Sequence, residues 1–443
     1  MKRSQEKDYE KRNPGPVLPR RYLLWGMAIL GTGLFAGLWM DTSIFRRIFY
    51  RIQDLFSSPQ ILPPQDERKQ ADLPPDGYNI SVETALNSRC TSDRDGNPKR
   101  FHWGMFDPSK SLSEAKVREL ARLAQPPRLS GERVWTEVKD NEVTFLIDER
   151  SSGPVRDGMM VESGMQQQAL GLICACFGAG MVFRNLGVDG SRVSDNDFAT
   201  IKIIVDAMSP SYDGKCWVGG ADDLRISMEG GSLPEPQRQG NQALLATLQS
   251  LKSEEQNGGQ VTEKLIGQML WAARGRTPHY YKSRPWGMTI PTWGGEQNIS
   301  SLYLVSGGAV WKYVNWQGNR PAHSVEAVAT LDPEVDRSMA ALAPPHNCII
   351  VQTKNENSGR ALWEIGYSLL NMILQAKSLG LAYKAVFLEE KDQQQFKRAG
   401  IDSPVSAVFL GKEERGGGSV KGTTALKRKE PMANVDSKSF LPG

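Results

Sequence analysis

Beyond residue 77 the chain alternates between two hydrophobic patterns. Leu112 to Leu123 (LSEAKVRELARL) spaces its apolar residues at helical intervals behind a Ser–Glu start, and Pro126-Pro127 closes it, which predicts an amphipathic helix. Glu142 to Ile147 (EVTFLI) alternates with period two, as a half-buried strand does. Ser163 to Gly180 (SGMQQQALGLICACFGAG) is apolar around most of its circumference and ends in glycines, so it reads as a buried helix with a glycine stop. Thr200 to Val205 (TIKIIV) reads as another strand. The order then recurs. Val261 to Arg274 is a helix opened by Thr262 and Glu263, and Ser301–Val305 and Cys348–Val351 are strands. Leu362 to Leu381 is a long apolar helix stopping at Gly380, and Val405 to Leu410 is a closing strand ending at Gly411. Helices with such wide apolar faces must bury them against a sheet or against each other. The pattern predicts an α+β protein whose two halves follow one grammar.

The amino-terminal stretch has a different pattern. Tyr22 to Met40 is a run of 19 residues without a charge. At about 1.5 Å per residue it is just long enough to span a hydrocarbon core. Lys2, Arg3, Lys7, Lys11, Arg12, Arg20 and Arg21 precede it, so the positive-inside tendency puts the amino terminus in the cytoplasm. Arg46, Arg47 and Arg51 on the other side pull against that orientation. Arg20-Arg21-Tyr22-Leu23-Leu24 resembles a twin-arginine export signal, and no small-residue cleavage site follows cleanly, which favours a retained anchor. Residues 41–56 set Ile, Phe and Leu at helical spacing between arginines, as in a helix lying at a membrane surface. The expected placement is a single-pass protein of a bacterial inner membrane, with its folded part in the periplasm. The whole chain then divides into a basic stretch (1–21), a transmembrane helix or signal anchor (22–40), a juxtamembrane helix and linker (41–77), a first unit (78–230), a connector rich in Gly, Gln and Ser (231–260), a second unit (261–412) and a tail poor in apolar residues (413–443), read as disordered.

Composition adds mostly exclusions. The chain has 443 residues, enough for two globular units, and its net charge of +4 with no basic stripe gives no reason to invoke nucleic acid. The five cysteines form no CxxC pair, and Cys174 and Cys176 sit in an apolar helical run, where a buried thiol is the expected state. The four histidines include no pair at helical spacing, so no metal site is expected. No GxGxxG follows a strand, so no separate nucleotide domain is evident.

Several stretches of the second half carry a family resemblance. Met269-Leu270-Trp271-Ala272-Ala273-Arg274-Gly275 resembles the early helix of the nitroreductase superfamily, in its branch of SagB-type dehydrogenases. Pro291-Thr292-Trp293-Gly294-Gly295 followed by Leu302-Tyr303-Leu304-Val305 is similar to that branch's PSxG…LYLV segment. Gly366 to Asn371 with Leu379-Gly380-Leu381 resembles its long QN…A…LGLG helix, and Pro404 to Lys412 its closing strand. The first half resembles the same fold more distantly, through Gly164 to Ala169 and Phe177 to Gly180. It departs from the family at Arg100-Phe101-His102-Trp103-Gly104, where the basic RSxR start is missing. The resemblance implies two tandem nitroreductase-like domains forming an intramolecular pseudo-dimer, with FMN, one or two, where the halves meet.

The implied chemistry is that of a flavoenzyme: an FMN-dependent oxidoreductase working by ping-pong hydride transfer on a small organic substrate, with the protein orienting the cofactor. Arg274, Arg276, Arg284 and Lys412 are the candidates for phosphate and ribityl, since arginine's planar fork donates in pairs. Arg100 and Arg128 are their first-half counterparts. Thr292, Trp293, Gly294 and Gly295 lie on the family's flavin-contacting loop, and Asn371, Gly380 and Leu381 on the helix beside the ring. No catalytic residue is singled out; Tyr280, Tyr281 and Lys282 are near enough in sequence to serve as proton donors, and His279 as a lining group. The reduced donor is NAD(P)H or a membrane quinol or redox protein. The regions 206–240 and 311–346, rich in Gly, Pro and Trp, are expected to be lid loops. The alternative is a flavin-free partner module of the same fold, tethered to the membrane.

Overall fold

Two antiparallel sheets, one on each side of a pair of crossing helices, organise the protein. The computed structural model describes residues 65–89, 106–107, 109–129, 134–148, 150–183, 200–208, 233–258, 261–277, 287–292, 298–317, 320–342, 346 and 348–411. Residues 1–58 lie outside them, including the expected transmembrane span 22–40 and its juxtamembrane helix, as does the 413–443 tail. Among the described residues no helix is long and apolar enough to cross a membrane.

Within Pro59–Gly443 a short parallel pair, β1 (Lys69–Gln70) and β2 (Lys110–Ser111), stands beside these sheets, and the smaller sheet has four strands, β3 (Trp135–Lys139), β4 (Glu142–Leu146), β5 (Ala179–Phe183) and β6 (Thr200–Ala207), in the order β3-β4-β6-β5. The larger has seven, β10-β9-β8-β11-β13-β12-β7. They are β7 (Glu254–Glu255), β8 (Ser300–Ser306), β9 (Ala309–Gln317), β10 (Arg320–Thr330), β11 (Cys348–Lys354), β12 (Tyr383–Phe387) and β13 (Pro404–Leu410). Both sheets are built around the same run. A helix comes first, α2 (Glu114–Leu123) or α5 (Glu263–Arg274), then two strands, a long helix and two more strands. The strands lie in the spatial order first, second, fourth, third: β3-β4-β6-β5 in one half and β8-β11-β13-β12 in the other, antiparallel at every pairing. The second half adds the β9-β10 hairpin, helix α6 (Pro333–Ala340) and helix α8 (Glu390–Arg398) to that run.

The long helices are α3 (Gly153–Cys176) and α7 (Gly359–Ser378), with 18 and 17 buried residues respectively. They cross at glycines. A methyl group on Gly366 would sit 2.1 Å from the Val161 carbonyl oxygen, and one on Gly164 would sit 2.5 Å from that of Trp363. Only a residue without Cβ permits so close a backbone approach. One continuous core runs from Val82 on α1 (Val82–Ser88) through α3, α5 and α7 to Leu410, drawing on both halves. The larger sheet also has a second covered face. Leu304, Ile350 and Val408 point to the shared core, whereas Val305, Ile349, Ala407 and Phe409 point to a smaller cluster with Met339 of α6 and Phe396 of α8. That is the period-two alternation of strands buried on both sides.

Three stretches differ from the sequence reading. Residues 311–346 are not a lid loop: most of them form β9, β10 and α6, because after the Gly307-Gly308 turn the strand is covered on both faces, Val310 facing the smaller cluster and Trp311 and Tyr313 the shared core. The 231–260 stretch, read as a connector, carries α4 (Leu244–Gln249), with Leu244, Leu245 and Leu248 buried, and the strand β7 paired with β12. The long helix expected from Ser163 begins ten residues earlier, with Pro154 in its first turn. Proline fits there because the amide it lacks has no intrahelical acceptor.

The crossing predicts a contrast between glycines. Gly366→Ala is expected to lower stability by about 1–3 kcal/mol or more, as overpacking does. Gly267→Ala on α5, where the new methyl meets atoms no nearer than 3.5 Å, is expected to be neutral or stabilising. Denaturant melts of the two variants check this; equal stability losses would remove the argument for a glycine-dependent crossing.

Candidate functional site

Helix α5 is opened by Thr262, whose side chain accepts from the Leu265 amide at 3.4 Å. It ends at Gly275, where a Cβ would lie 2.1 Å from the Trp271 ring, so the indole folds back over the chain and its Nε1 donates to the Arg276 carbonyl at 3.0 Å. Beyond it, 275–277 and 287–289 run antiparallel. Thr289 N donates to Gly275 O at 3.0 Å, Thr277 N to Gly287 O at 3.1 Å, and Arg276 bridges Met288. Residues 275–277 and 287–289 thus pair as a short two-stranded stem.

Arg274 is 5% exposed and its guanidinium pairs with Glu364 of α7 at 3.0 Å. It also donates to Ser300 Oγ, whose own hydroxyl donates to Glu364 Oε2 at 2.9 Å, and to Asn298 Oδ1 at 3.3 Å. The Arg274 charge therefore ties α5 to β8 and α7. Arg276 is half-buried. Its Nε donates to the Asn315 carbonyl at 2.9 Å and its guanidinium lies 4.6 Å over the Trp316 ring, a cation–π arrangement. Asn315 returns a bond from Nδ2 to the Arg274 carbonyl at 2.7 Å.

Asn371 is fully buried on α7 and donates to the Ala272 carbonyl at 2.9 Å and the Thr289 carbonyl at 3.2 Å. Its Oδ1 accepts from Gln168 Nε2 of α3 at 2.9 Å. Gln168 Nε2 also donates to Thr289 O at 2.9 Å, while its Oε1 has no donor among the described residues. Beside it in sequence, Gln167 accepts at 2.6 Å from the hydroxyl of Tyr367, which lies one turn before Asn371 on α7. Arg89, 4% exposed at the end of α1, donates to Thr289 O at 3.0 Å and Met288 O at 2.9 Å. Burial pushes its pKa down to about 9, with Tyr367 acting in the opposite direction. A polar seam thus lies between α3 and α7, inside an otherwise apolar interior.

Gly380 and Leu381 form the stop of α7. Gly380 has φ +65°, and Leu381 N reaches back to Ala376 O at 2.9 Å. Gly258 lies against the Leu381–Ala382 backbone, closely enough that a Cβ would come within 1.9 Å of Ala382 N. Thr292 is half-buried at the end of the described 287–292 segment. Arg284, Trp293, Gly294, Gly295 and Lys412 lie outside the described residues, as do His279, Tyr280, Tyr281, Lys282 and Arg100; Arg128 is exposed. The structure therefore gathers Arg274, Arg276 and Asn371 around one end of α5 and the 287–292 segment. Arg89 and Gln168 join them there, and Gln167 bonds to Tyr367 across the same helix pair; the sequence had singled out none of the three. Their one advance signal was the glutamine run 166–168 inside an apolar helix, since buried amides need partners.

On the neighbouring hairpin, His323 Nδ1 and the Tyr313 hydroxyl share a 2.9 Å hydrogen bond, both buried. Burial holds the His323 pKa down to about 4; the Pro234 carbonyl raises it and the Arg238 charge lowers it further. Cys174, Cys176 and Cys348 are buried free thiols, and burial pushes Cys176 and Cys348 up to about 12.

No protein-family model matches the chain, and no curated protein matches it. Among solved structures it is similar to a protein assigned as a nitroreductase from Ralstonia eutropha, with 20% identity, 45% of this chain and 93% of that one covered, and a TM-score of 0.33. A second protein so assigned, from Anabaena variabilis, aligns at 12% identity over 61% of this chain and 68% of its own, with a TM-score of 0.41. The E. coli microcin synthetase McbBCD complex aligns at 15% identity over 46% of this chain and 86% of its own, with a TM-score of 0.29.

His323 gives the site a pH signature. With a folded-state pKa near 4 against about 6.5 unfolded, the unfolded chain takes up the proton first. Stability is then full above pH 6.5 and declines as pH falls toward 4. The His323 contribution to that decline is on the order of 3 kcal/mol. A His323→Gln variant is expected to show a shallower loss between pH 6.5 and 4 in denaturant melts; an unchanged slope contradicts the assignment.

Proposed function

We propose that the chain is an FMN-dependent oxidoreductase of nitroreductase type, its two halves acting as a built-in pseudo-dimer. The observation that carries this reading is the repeated strand order on either side of the α3–α7 crossing, with the motif-bearing 287–292 segment held at the junction by both helices. The sequence resemblance gives the reading its cofactor, since in that family the flavin lies where two copies of the fold meet.

The residues present fit such a group. A flavin offers an N–H and carbonyl edge, a flat face and a phosphate. The junction holds a buried acceptor without a donor among the described residues, Gln168 Oε1, and a half-buried guanidinium, Arg276, backed by Trp316. Arg276 with Arg284 and Lys412 would hold the phosphate. Thr292, Trp293, Gly294 and Gly295 would border the ring, glycines allowing close backbone approach. Bound there, FMN supplies the transfer of hydride equivalents between a donor and a small organic acceptor, or the reverse oxidation of a bound substrate. The chain's own part is to exclude water and fix orientation: Arg274 and Glu364 lock α5 to α7, while Asn371 fastens the end of α5 to the 287–292 segment. Tyr280, Tyr281 and Lys282, which follow Thr277 in sequence, are the candidate proton donors.

The 22–40 span would tether the enzyme to the inner membrane with its catalytic part on the periplasmic side. There a membrane quinol or redox protein is the fitting donor, NAD(P)H being scarce. A flavin-free partner module is the competing reading. Two features favour it: the commitment of Arg274 to Glu364 and the absence of RSxR from the first half.

Purified in detergent, the full-length protein is expected to be yellow and to release FMN on heating, with mass analysis giving one or two flavins per chain. A colourless protein that takes up no added FMN would contradict the assignment.

A further inference from the structure

The contacts between the halves are reciprocal. Gly164 of α3 lies against the Trp363 carbonyl and Gly366 of α7 against that of Val161, and one shift in numbering carries Gly164 to Gly366 and Val161 to Trp363. The same shift carries Glu162 to Glu364, both buried carboxylates. Likewise Val82 N donates to Gln242 O at 3.0 Å and Leu244 N to Ile80 O at 2.8 Å, on either side of the Ser81–Ala243 bridge, so α1 and α4 exchange places. Helices α2 and α5 correspond as well. Ser113-Glu114 opens one and Thr262-Glu263 the other, and each hydroxyl accepts from the amide three residues on, Lys116 N or Leu265 N. Contacts that repeat with the partners exchanged are the mark of a twofold interface.

Around the end of α5 this symmetry is broken in one direction. Asn371, which donates to Ala272 O and Thr289 O, corresponds to Ala169. Gln168, which donates to Thr289 O, corresponds to Leu370. Arg89, which donates to Met288 O and Thr289 O, corresponds to Leu251. Ala169, Leu370 and Leu251 are all buried in the shared core. Arg274, paired with Glu364, corresponds to Gln125, an exposed side chain that donates to Ala121 O of its own helix.

The fold is the same on both sides, so it does not by itself call for polar residues on one of them. Buried polar groups cost stability unless they are satisfied. On the polar side one is not: Gln168 Oε1 is buried and has no donor among the described residues. An N–H on the edge of a ligand is the kind of donor it lacks, and Leu370, its mate, can accept none. We propose that the chain holds one flavin and not two: the twofold survives in the fold and is lost at the site, which is kept only on the side where α5 ends. The related position in the other half has been given over to apolar packing. This rests on the FMN reading above and fixes its stoichiometry and its side.

The test uses the full-length, detergent-solubilised protein without substitutions. Flavin per chain is counted by titration with FMN to saturation, against protein measured by amino-acid analysis. Hydrogen–deuterium exchange with and without bound FMN then locates the site. The expected result is saturation at one equivalent, with slower exchange over 266–277 and 287–292 and unchanged exchange over 117–129. Two equivalents, or a single one that protects 117–129 instead, would overturn the one-sided site and leave the flavin reading intact. A protein that takes up no FMN would overturn both.

Discussion

The architecture depends on two helix backbones coming nearly into contact. Where α3 and α7 cross, Gly164 faces the Trp363 backbone and Gly366 faces that of Val161, at separations no β-carbon would allow. Because the backbones meet there, the side chains on either side of the crossing are drawn into one interior. The core then runs from Val82 to Leu410 without a boundary between the halves. Each sheet packs its helix-facing side onto this pair, and the same strand order recurs on both sides.

Closeness of this kind forces a polar solution in the middle. Gln167, Gln168, Tyr367 and Asn371 are all fully buried, and a buried amide or hydroxyl left unpaired costs about 1–3 kcal/mol. The helices meet this by bonding across the crossing: Tyr367 to Gln167, and Gln168 to Asn371. The remaining donors turn toward the end of α5 and the 287–292 segment, so the polar seam and the candidate site are one network. Arg89 and the Arg274–Glu364 pair place charge at its margins, where removing one partner of the pair would leave the other buried and unmatched.

Much of the framework is legible in the sequence wherever the hydrophobic period is sustained. Helices α2 and α5, strands β4, β6, β8 and β13 and the body of α7 fall within a few residues of their expected places. The failures have physical causes. Gly178, with φ +64°, ends α3 and starts β5 at once, so a glycine-rich tail that reads as a helix stop conceals a strand. In β9 and β10 the outward positions carry Lys, Trp, Gln and Glu, which blurs the alternation into an apparent loop. At the site, Asn371 is conspicuous as an amide in an apolar helix. Arg89 is invisible as a lone arginine at the end of a seven-residue helix. Its meaning lies in carbonyls 199 and 200 residues away, and no local pattern encodes that distance.

The most direct measurement is an experimental structure of the full-length protein, solubilised in detergent and saturated with FMN. The account predicts an isoalloxazine ring against the 287–295 segment, in contact with residues of both halves beside the α3–α7 crossing. A flavin bound by one half alone and remote from Thr289, or a crossing whose seam is filled by side chains with no flavin anywhere on the chain, would contradict it.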